Sequence, residues 1–249
     1  MIERDRAPRS IPGRVLVIVP TYNERHNLET LVDGLMRHDG VSVLVVDDAS
    51  PDGTGGVADE LARRYEGRID VMHRKGRRGL GRSYIDGIRW ALARPVGAFD
   101  VVCQMDADLS HDPARVPALV AALADADVVV GSRYVDGGTI VNWPARRRLL
   151  SRFANGYIRI VTRLRVRDCT TGFRCWRREA LAALPLDRFG SDGYAFLVEM
   201  LFAAAAQRRR IVEVPIVFVE RRKDESKLTS AVLFESVIAP WRLIGRRRQ

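Results

Sequence analysis

Between Val15 and Gly131, short runs of β-branched residues alternate with longer stretches whose apolar positions recur at helical spacing. Strands covered on both faces in a parallel sheet need apolar residues at consecutive positions, and the helical period between them marks the covering layer. The pattern predicts strands at Val15 to Val19, Ser42 to Val46, Asp70 to His73, Val101 to Met105 and Val128 to Val130. It predicts helices at Glu24 to Arg37, Thr54 to Tyr65, Gly81 to Ala93 and Pro113 to Ala124, the last opened by Asp112 as N-cap with proline at the first helical position. The second half is less regular, with a helix over Arg146 to Arg163, a turn at Thr171-Gly172-Phe173, a helix near Tyr194 to Ala206 and a strand over Ile211 to Val219. The last segment, Leu228 to Ile244, is apolar on much of its surface, is interrupted by Glu235 and Pro240, and runs into Arg246-Arg247-Arg248. It reads either as a basic-flanked amphipathic helix in a membrane interface or as a helix packed on the domain. The expected organisation is one α/β domain over residues 1–227, with a mainly parallel central sheet flanked by helices, followed by a segment over 228–249.

Composition narrows the class. A chain of 249 residues that is 47% hydrophobic can bury one substantial core. No run approaches the roughly 18 to 20 uninterrupted apolar residues that a membrane-spanning helix needs, and Met1 to Pro12 lacks a signal-peptide pattern, so a cytoplasmic location is expected. Cys103, Cys169 and Cys175 are odd in number and have no Cys-x-x-Cys spacing, which argues against a disulfide framework and a structural zinc site. The net charge of +10 calls for an anionic partner, with basic clusters at Arg74 to Arg82, Arg146 to Arg152, Arg208 to Arg210, Arg221 to Lys227 and Arg242 to Arg248. Few aromatic residues interleave with them, which disfavours a base-stacking platform for nucleic acid.

The candidate chemistry lies where predicted strands end. In an open parallel sheet, ligands bind at the carboxyl ends of the strands, which here carry Pro20-Thr21-Tyr22-Asn23-Glu24, Asp47-Asp48 and Asp106-Ala107-Asp108. Residues two apart in extended chain face one side, so Asp106 and Asp108 can address one ligand, and their hard oxygens suit Mg2+ or Mn2+ rather than zinc. No Gly-x-Gly-x-x-Gly follows the first strand and no Gly-Lys-Ser/Thr loop is present, which leaves dinucleotide dehydrogenases and P-loop NTPases unsupported.

In order, Pro20-Thr21-Tyr22-Asn23-Glu24, Val46-Asp47-Asp48, Ser50-Pro51-Asp52-Gly53-Thr54, Asp106-Ala107-Asp108-Leu109-Ser110, Gly131-Ser132-Arg133-Tyr134, Thr171-Gly172-Phe173-Arg174 and Glu225-Ser226-Lys227 closely resemble the polyprenol-phosphate (dolichol-phosphate) mannose synthases of the inverting glycosyltransferase family two. The resemblance runs from about Val15 to Leu228 and implies the GT-A fold. It also implies transfer of mannose from GDP-mannose to a polyprenyl phosphate lipid at the cytoplasmic membrane face, with inversion. By resemblance, Pro20, Tyr22, Glu24, Val46 and Asp48 hold the guanosine, Asp106 and Ala107 contact the nucleotide, and Asp106 and Asp108 serve the metal. Arg133 stands near the donor diphosphate and sugar, Arg147 and Ser151 approach the acceptor phosphate, and Arg221 with Lys227 completes a cationic clamp on the donor side. Trp143 and Asn155 match at the same spacing, and Arg147, Ser151 and Asn155 share one helix face. A lipid phosphate is already ionised near neutral pH, so no catalytic base is nominated; Asp192 and Glu199 read equally as structural groups or as a helix cap and an acceptor-side group. His111 reads as a loop or cap residue. Where some relatives use glutamine to complete the metal shell this chain has Ser110, a place the resemblance leaves to water. The relatives with transmembrane helices after the catalytic domain find no match here, which implies peripheral binding or a separate membrane-anchoring subunit. Within the class, a glucosyltransferase using a UDP-sugar is the rival reading; outside it, a basic nucleic-acid-binding protein would leave the acidic constellations unexplained.

Overall fold

A computed structural model describes residues 13–191, 193–220 and 240–245. The chain runs β1 (Val15–Thr21), α1 (Leu28–Met36), β2 (Val41–Asp47), α2 (Thr54–Arg64), β3 (Ile69–His73), α3 (Leu80–Ala93), β4 (Val101–Gln104), α4 (Val116–Ala121) and β5 (Val128–Ser132). It continues through β6 (Thr139–Val141), α5 (Ala145–Thr162), β7 (Arg174–Arg177), α6 (Arg178–Ala182), α7 (Tyr194–Ala206), β8 (Ile211–Pro215) and β9 (Val217–Val219). Seven strands form one sheet in the order β3-β2-β1-β4-β7-β5-β8, and β6 pairs with β9 in a small second sheet. All ladders of the large sheet are parallel except those of β7, which is antiparallel to both β4 and β5.

The apolar strand runs are explained by helices on both faces. Along β1, Val15, Val17 and Val19 join the core beneath α1, α2 and α4, whereas Leu16 and Ile18 join the core beneath α3, α6 and α7. On α1 the buried Leu28, Leu31, Val32, Leu35 and Met36 make the i, i+3, i+4 stripe that such a face needs, each fully buried side chain contributing about 1.5–3 kcal/mol. Gly87 lets α3 sit directly on the sheet, since a Cβ there would meet Ile18 Cγ2 at 2.8 Å.

Four local expectations are revised. The helix expected from Glu24 begins at Leu28, because Glu24 to Asn27 form a turn in which the Glu24 carbonyl accepts from the N–H groups of Asn27 and Leu28. The helix expected over Pro113 to Ala124 is α-helical only over Val116–Ala121, with 3-10 turns at both ends; Asp112 does cap its start, accepting from the Ala114 N–H at 2.9 Å. The strand expected over Ile211 to Val219 breaks after Pro215: the Ile216 N–H makes a last bond to the Ser132 carbonyl at 3.0 Å, and the chain then crosses to pair β9 with β6. Strand β7 was not foreseen at all.

Strand β7 also overturns the cysteine expectation. Its register sets Cys175 directly opposite Cys103 on β4, Cα atoms 4.1 Å apart, and the two form a disulfide, while Cys169 is free and buried. A separation of 72 residues concealed a pairing that only the antiparallel register creates.

A buried ion pair ties the end of β5 to the chain leading into β7. Arg133 donates through Nε and Nη2 to the two oxygens of Asp168, each at 2.7 Å, and through its backbone N–H at 3.0 Å. Burial alone would push the Asp168 carboxyl up, but the guanidinium beside it prevails and holds it below the ordinary carboxylate value. Among the described residues no helix is long and apolar enough to cross a membrane.

Replacing Asp168 by Asn strands a buried guanidinium, so a loss of about 3–5 kcal/mol in urea-denaturation stability at pH 7 is expected. The depressed carboxyl contributes above the unfolded-state value of about 3.9 and loses that contribution as pH falls through its lower folded value. The gap between wild type and Asp168→Asn should therefore close only in that acid range. Alkylation of the denatured, unreduced chain should label one thiol and, after reduction, three. In the folded protein Cys169, buried and with its pKa raised to about 12, should stay unlabelled.

Candidate active site

The carboxyl ends of β1, β2 and β4 form one edge, and the loops leaving them are tied to one another. Thr21 Oγ1 donates to Asp47 Oδ1 at 3.1 Å, and the Asp48 N–H donates to the Thr21 carbonyl at 2.9 Å. Asp47 also accepts from the Ser50 hydroxyl at 2.6 Å, so this carboxylate is spent on holding the turn. Asn23 takes a left-handed conformation, φ 59°, and its N–H donates to Ser50 Oγ at 3.1 Å. Glu24 is buried, its N–H donating to Thr54 Oγ1 at 3.0 Å and its carboxylate accepting from Asn27 Nδ2 at 2.9 Å.

Asp48 is held differently. One oxygen pairs with Arg74 and the other accepts from the Gly79 N–H at 2.8 Å, while Arg74 Nε also donates to Asp86 Oδ2 at 2.8 Å. The guanidinium is thus fixed between two carboxylates, which sets the plane of the Asp48 carboxyl. Arg78, from the same basic loop, donates to the Tyr22 hydroxyl and lies 4.8 Å from the centre of its ring. Val46 is fully buried in β2, and Pro20 lies within β1. Their side chains are core, and only the backbone beside them faces the edge loops.

Asp106 and Asp108 leave β4 on the same edge, both partly exposed, with Ala107 buried between them. Asp106 Oδ1 accepts from the hydroxyl of buried Tyr84 at 3.3 Å. Gly172 lies against the same carboxylate, where a Cβ would come within 2.7 Å of Oδ1, so only glycine admits Asp106 here. Asp108 Oδ1 accepts from the Ser110 hydroxyl at 2.5 Å and the Ser110 N–H at 3.1 Å. Ser110 therefore orients the second carboxylate instead of offering a further ligand. His111 is buried and stacks on Phe173, centroids 5.1 Å apart, as an aromatic support for the loop. Burial pushes its imidazole below the usual range, against the pull of Asp106 and Asp108.

The arginine and serine of α5 reach this edge through β9. Ser110 O accepts from the Val219 N–H at 3.2 Å, and the next residue, Glu220, pairs with Arg147. Arg147 lies 4.1 Å from the centre of the Trp143 ring, Trp143 packs edge-on against Phe218 at 5.4 Å, and Phe218 meets His111 at 5.6 Å. Ser151 Oγ accepts from the Tyr134 hydroxyl at 2.7 Å. Asn155, on the same face of α5, donates to the Ser151 carbonyl at 2.9 Å and accepts from the Cys169 N–H at 2.7 Å. Arg133 sits among Tyr134, Trp143 and Phe218, with its guanidinium 5.3–5.6 Å from each ring centre. Glu199 is buried and accepts from the Ser191 hydroxyl at 2.8 Å, on the structural side of its two readings. Arg221, Lys227 and Asp192 lie outside the described residues.

Sequence reading thus named the acids and the α5 pair, and missed their supports. Arg74 stood in a recognised basic cluster and Gly172 in a recognised motif, but nothing local marked Tyr84, Asp168, Phe218 or Glu220. The two carboxylates fit a hard divalent cation by donor chemistry. Among the described residues no third His, Cys, Asp or Glu joins them into a closed site.

Comparisons with known proteins identify the family and the fold. The family model described as Glycosyl transferase family 2 matches residues 16–184. The chain is 44% identical over 238 residues to the polyprenol monophosphomannose synthase of Mycolicibacterium smegmatis, covering 94% of this chain and 88% of that protein. It is 47% identical over 238 residues to the undecaprenyl-phosphate mannosyltransferase of Micrococcus luteus, covering 94% of this chain and 96% of that one. Among solved structures, glucosyl-3-phosphoglycerate synthase from Mycobacterium tuberculosis, in complex with Mn2+, UDP-glucose and phosphoglyceric acid, superposes with a TM-score of 0.68 at 19% identity, covering 94% of this chain and 80% of that one. The architecture is the GT-A fold, and on the family match and these two relatives the chain belongs to glycosyltransferase family 2.

Proposed function

We propose that the protein transfers mannose from GDP-mannose to the phosphate of a polyprenyl lipid, inverting the anomeric carbon. The observation that carries this reading is the unbroken line of contacts from the Asp106–Asp108 loop through His111, Phe218 and Trp143 to Arg147. It sets an acidic pair suited to a metal-bound diphosphate beside a cation and a hydroxyl suited to a second phosphate. The similarity to two polyprenyl-phosphate mannose transferases supports the same acceptor and sugar.

In this reading Pro20, Tyr22, Glu24, Val46 and Asp48 surround the guanosine, with backbone groups serving at the two buried apolar positions. Asp48, fixed by Arg74 and Gly79, reads the base edge, and Tyr22, backed by Arg78, flanks it. Asp106 and Asp108, with Ala107 between them against the nucleotide, would hold Mg2+ or Mn2+, which would supply compensation for the charge developing on the departing GDP. Arg133 keeps the aromatic wall of Tyr134, Trp143 and Phe218 in place at the sugar end. Arg147 exchanges Glu220 for the incoming lipid phosphate, which Ser151 helps to orient. A phosphate monoester with a second pKa near about 6 is already a nucleophile at neutral pH. One of its oxygens bonds to the anomeric carbon as the bond to GDP breaks, and positioning with charge compensation replaces a general base. Arg221 and Lys227 are assigned to the donor clamp on sequence resemblance alone. A lipid acceptor supports a peripheral position on the cytoplasmic membrane face, by itself or with a separate anchoring subunit.

Radiolabelled GDP-mannose, polyprenyl phosphate and Mg2+ or Mn2+ should yield organic-extractable label that EDTA abolishes. Labelling from UDP-glucose instead would overturn the donor assignment. Asp108→Ala should lower transfer at least about 100-fold while retaining the wild-type melting profile. Arg147→Ala, which removes a charged hydrogen-bond donor from the acceptor phosphate, should raise the KM for polyprenyl phosphate roughly ten- to hundred-fold and leave the KM for GDP-mannose unchanged.

A further inference from the structure

Two guanidinium groups lie against the indole of Trp143, and their counter-ions differ. Arg133, 5.6 Å from the ring centre, is held by both oxygens of Asp168, a carboxylate that is fully buried. Arg147, 4.1 Å from the same centre, bonds through Nη1 to Oε1 of Glu220, and both of these side chains are partly exposed. The Arg147 Nε is buried and has no hydrogen-bond partner among the described residues, and the Trp143 indole N–H is in the same state. A guanidinium carries five donors and suits an oxyanion with several oxygens, so Glu220 leaves much of this fork unused.

The backbone around Glu220 is pinned, whereas its side chain has Arg147 as its one partner among the described residues. The Val219 N–H donates to the Ser110 carbonyl and the Glu220 N–H to the Val141 carbonyl, each at 3.2 Å. Releasing Arg147 therefore takes a side-chain rotation and no movement of the strand. The reaction itself changes what competes with this carboxylate. A phosphate monoester carries between about 1.5 and 2 negative charges near neutral pH, spread over its terminal oxygens. Once one of those oxygens has bonded to the anomeric carbon and the bonding pair has left with GDP, the lipid phosphate is a diester with a single charge. Its attraction to Arg147 falls with that charge, while the charge on Glu220 stays as it was.

We infer that Glu220 is a positioning residue whose carboxylate is a resident competitor at the acceptor site, yielding Arg147 to a phosphate monoester and reclaiming it from the phosphodiester product. The inference rests on the proposed lipid-phosphate acceptor and deepens it, since it gives this chain a device that frees the site for the next turnover. A partly exposed pair suits the task, because a buried, doubly bonded one such as Arg133 with Asp168 would not yield. A partner that merely oriented Arg147 would act with the opposite sign. Removing its charge would loosen the guanidinium and weaken the binding of every phosphate, whereas removing a competitor strengthens them all.

The test is titration calorimetry of the full chain with GDP and Mg2+ present, using citronellyl phosphate as the monoester and methyl citronellyl phosphate as the diester. Glu220→Gln, which keeps the shape and removes the charge, should bind both probes roughly two- to five-fold more tightly than wild type, the range set by a modest ion pair that no longer competes. In transfer assays the same variant should show a KM for polyprenyl phosphate lowered by that factor and product inhibition strengthened by it, with the KM for GDP-mannose unchanged. In an Arg147→Ala background the substitution should change neither affinity, which separates competition at Arg147 from the general loss of a negative charge. Glu220→Ala should act in the same direction and decides the matter if Glu220→Gln does not fold. Weaker or unchanged probe binding by the variant, where wild type binds the monoester, overturns the inference and leaves the acceptor standing. So does a tightening that persists without Arg147. Failure of wild type and variant alike to bind either probe refutes the acceptor, and the inference with it. Tightened binding in a chain that transfers no mannose to polyprenyl phosphate would uphold Glu220 as competitor and refute the proposed reaction.

Discussion

The site depends on an antiparallel strand held inside an otherwise parallel sheet. Strand β7 enters from the edge where its neighbours β4 and β5 end, so the residues just before it face those just after β4. Gln104 pairs with Arg174, and Gly172, two residues before Arg174, meets the carboxylate of Asp106, two residues after Gln104. The cost is a set of buried polar groups that call for partners. Trp176 Nε1 donates to Gln104 Oε1 at 2.9 Å, and Arg174, fully buried and with its pKa drawn down to about 10 by that burial, donates to the carbonyls of Leu197 and Cys169. These bonds fix the strand in register, and the register fixes the acid.

Around that frame the charged groups fall into two kinds. Asp47, Asp168 and Arg133 are consumed by the fold, each satisfied by partners that build turns or close the space between strands. Asp48, Asp106, Asp108 and Arg147 are oriented by a neighbour while standing at the edge loops. Orientation by Arg74, Tyr84 and Ser110 supplies preorganisation, in which a carboxylate already points where a ligand will need it. The ion pair of Arg147 with Glu220 is of a different sort, since both side chains are about a quarter to a third exposed and such a pair contributes little free energy.

Helix α5 joins these themes. Its inner stripe carries Asn155, which braces the chain before β7, and its outer stripe is apolar and basic. Strand β9 couples the start of this helix to the acid loop through Val219 and Glu220.

The sequence by itself determined the parallel α/β half, because apolar runs at period one and helices at period 3.6 are local consequences of being buried on two faces or one. It also singled out the acids and the α5 residues of the candidate site, since their motifs are contiguous and their order along the chain survives folding. Even the misplaced start of α1 and the break after Pro215 were errors of boundary, where turn bonding and the crossing of the chain to a second sheet override periodicity. What only tertiary structure decided is everything that depends on partners distant in the chain: the place of β7, the Cys103–Cys175 pairing, the grip of Tyr84 and Gly172 on Asp106, and the bond of Asp168 to Arg133. It also decided that the apolar stripe of α5 faces outward. Periodicity shows that a helix has two faces, but which of them is covered is settled by what the rest of the chain brings against it.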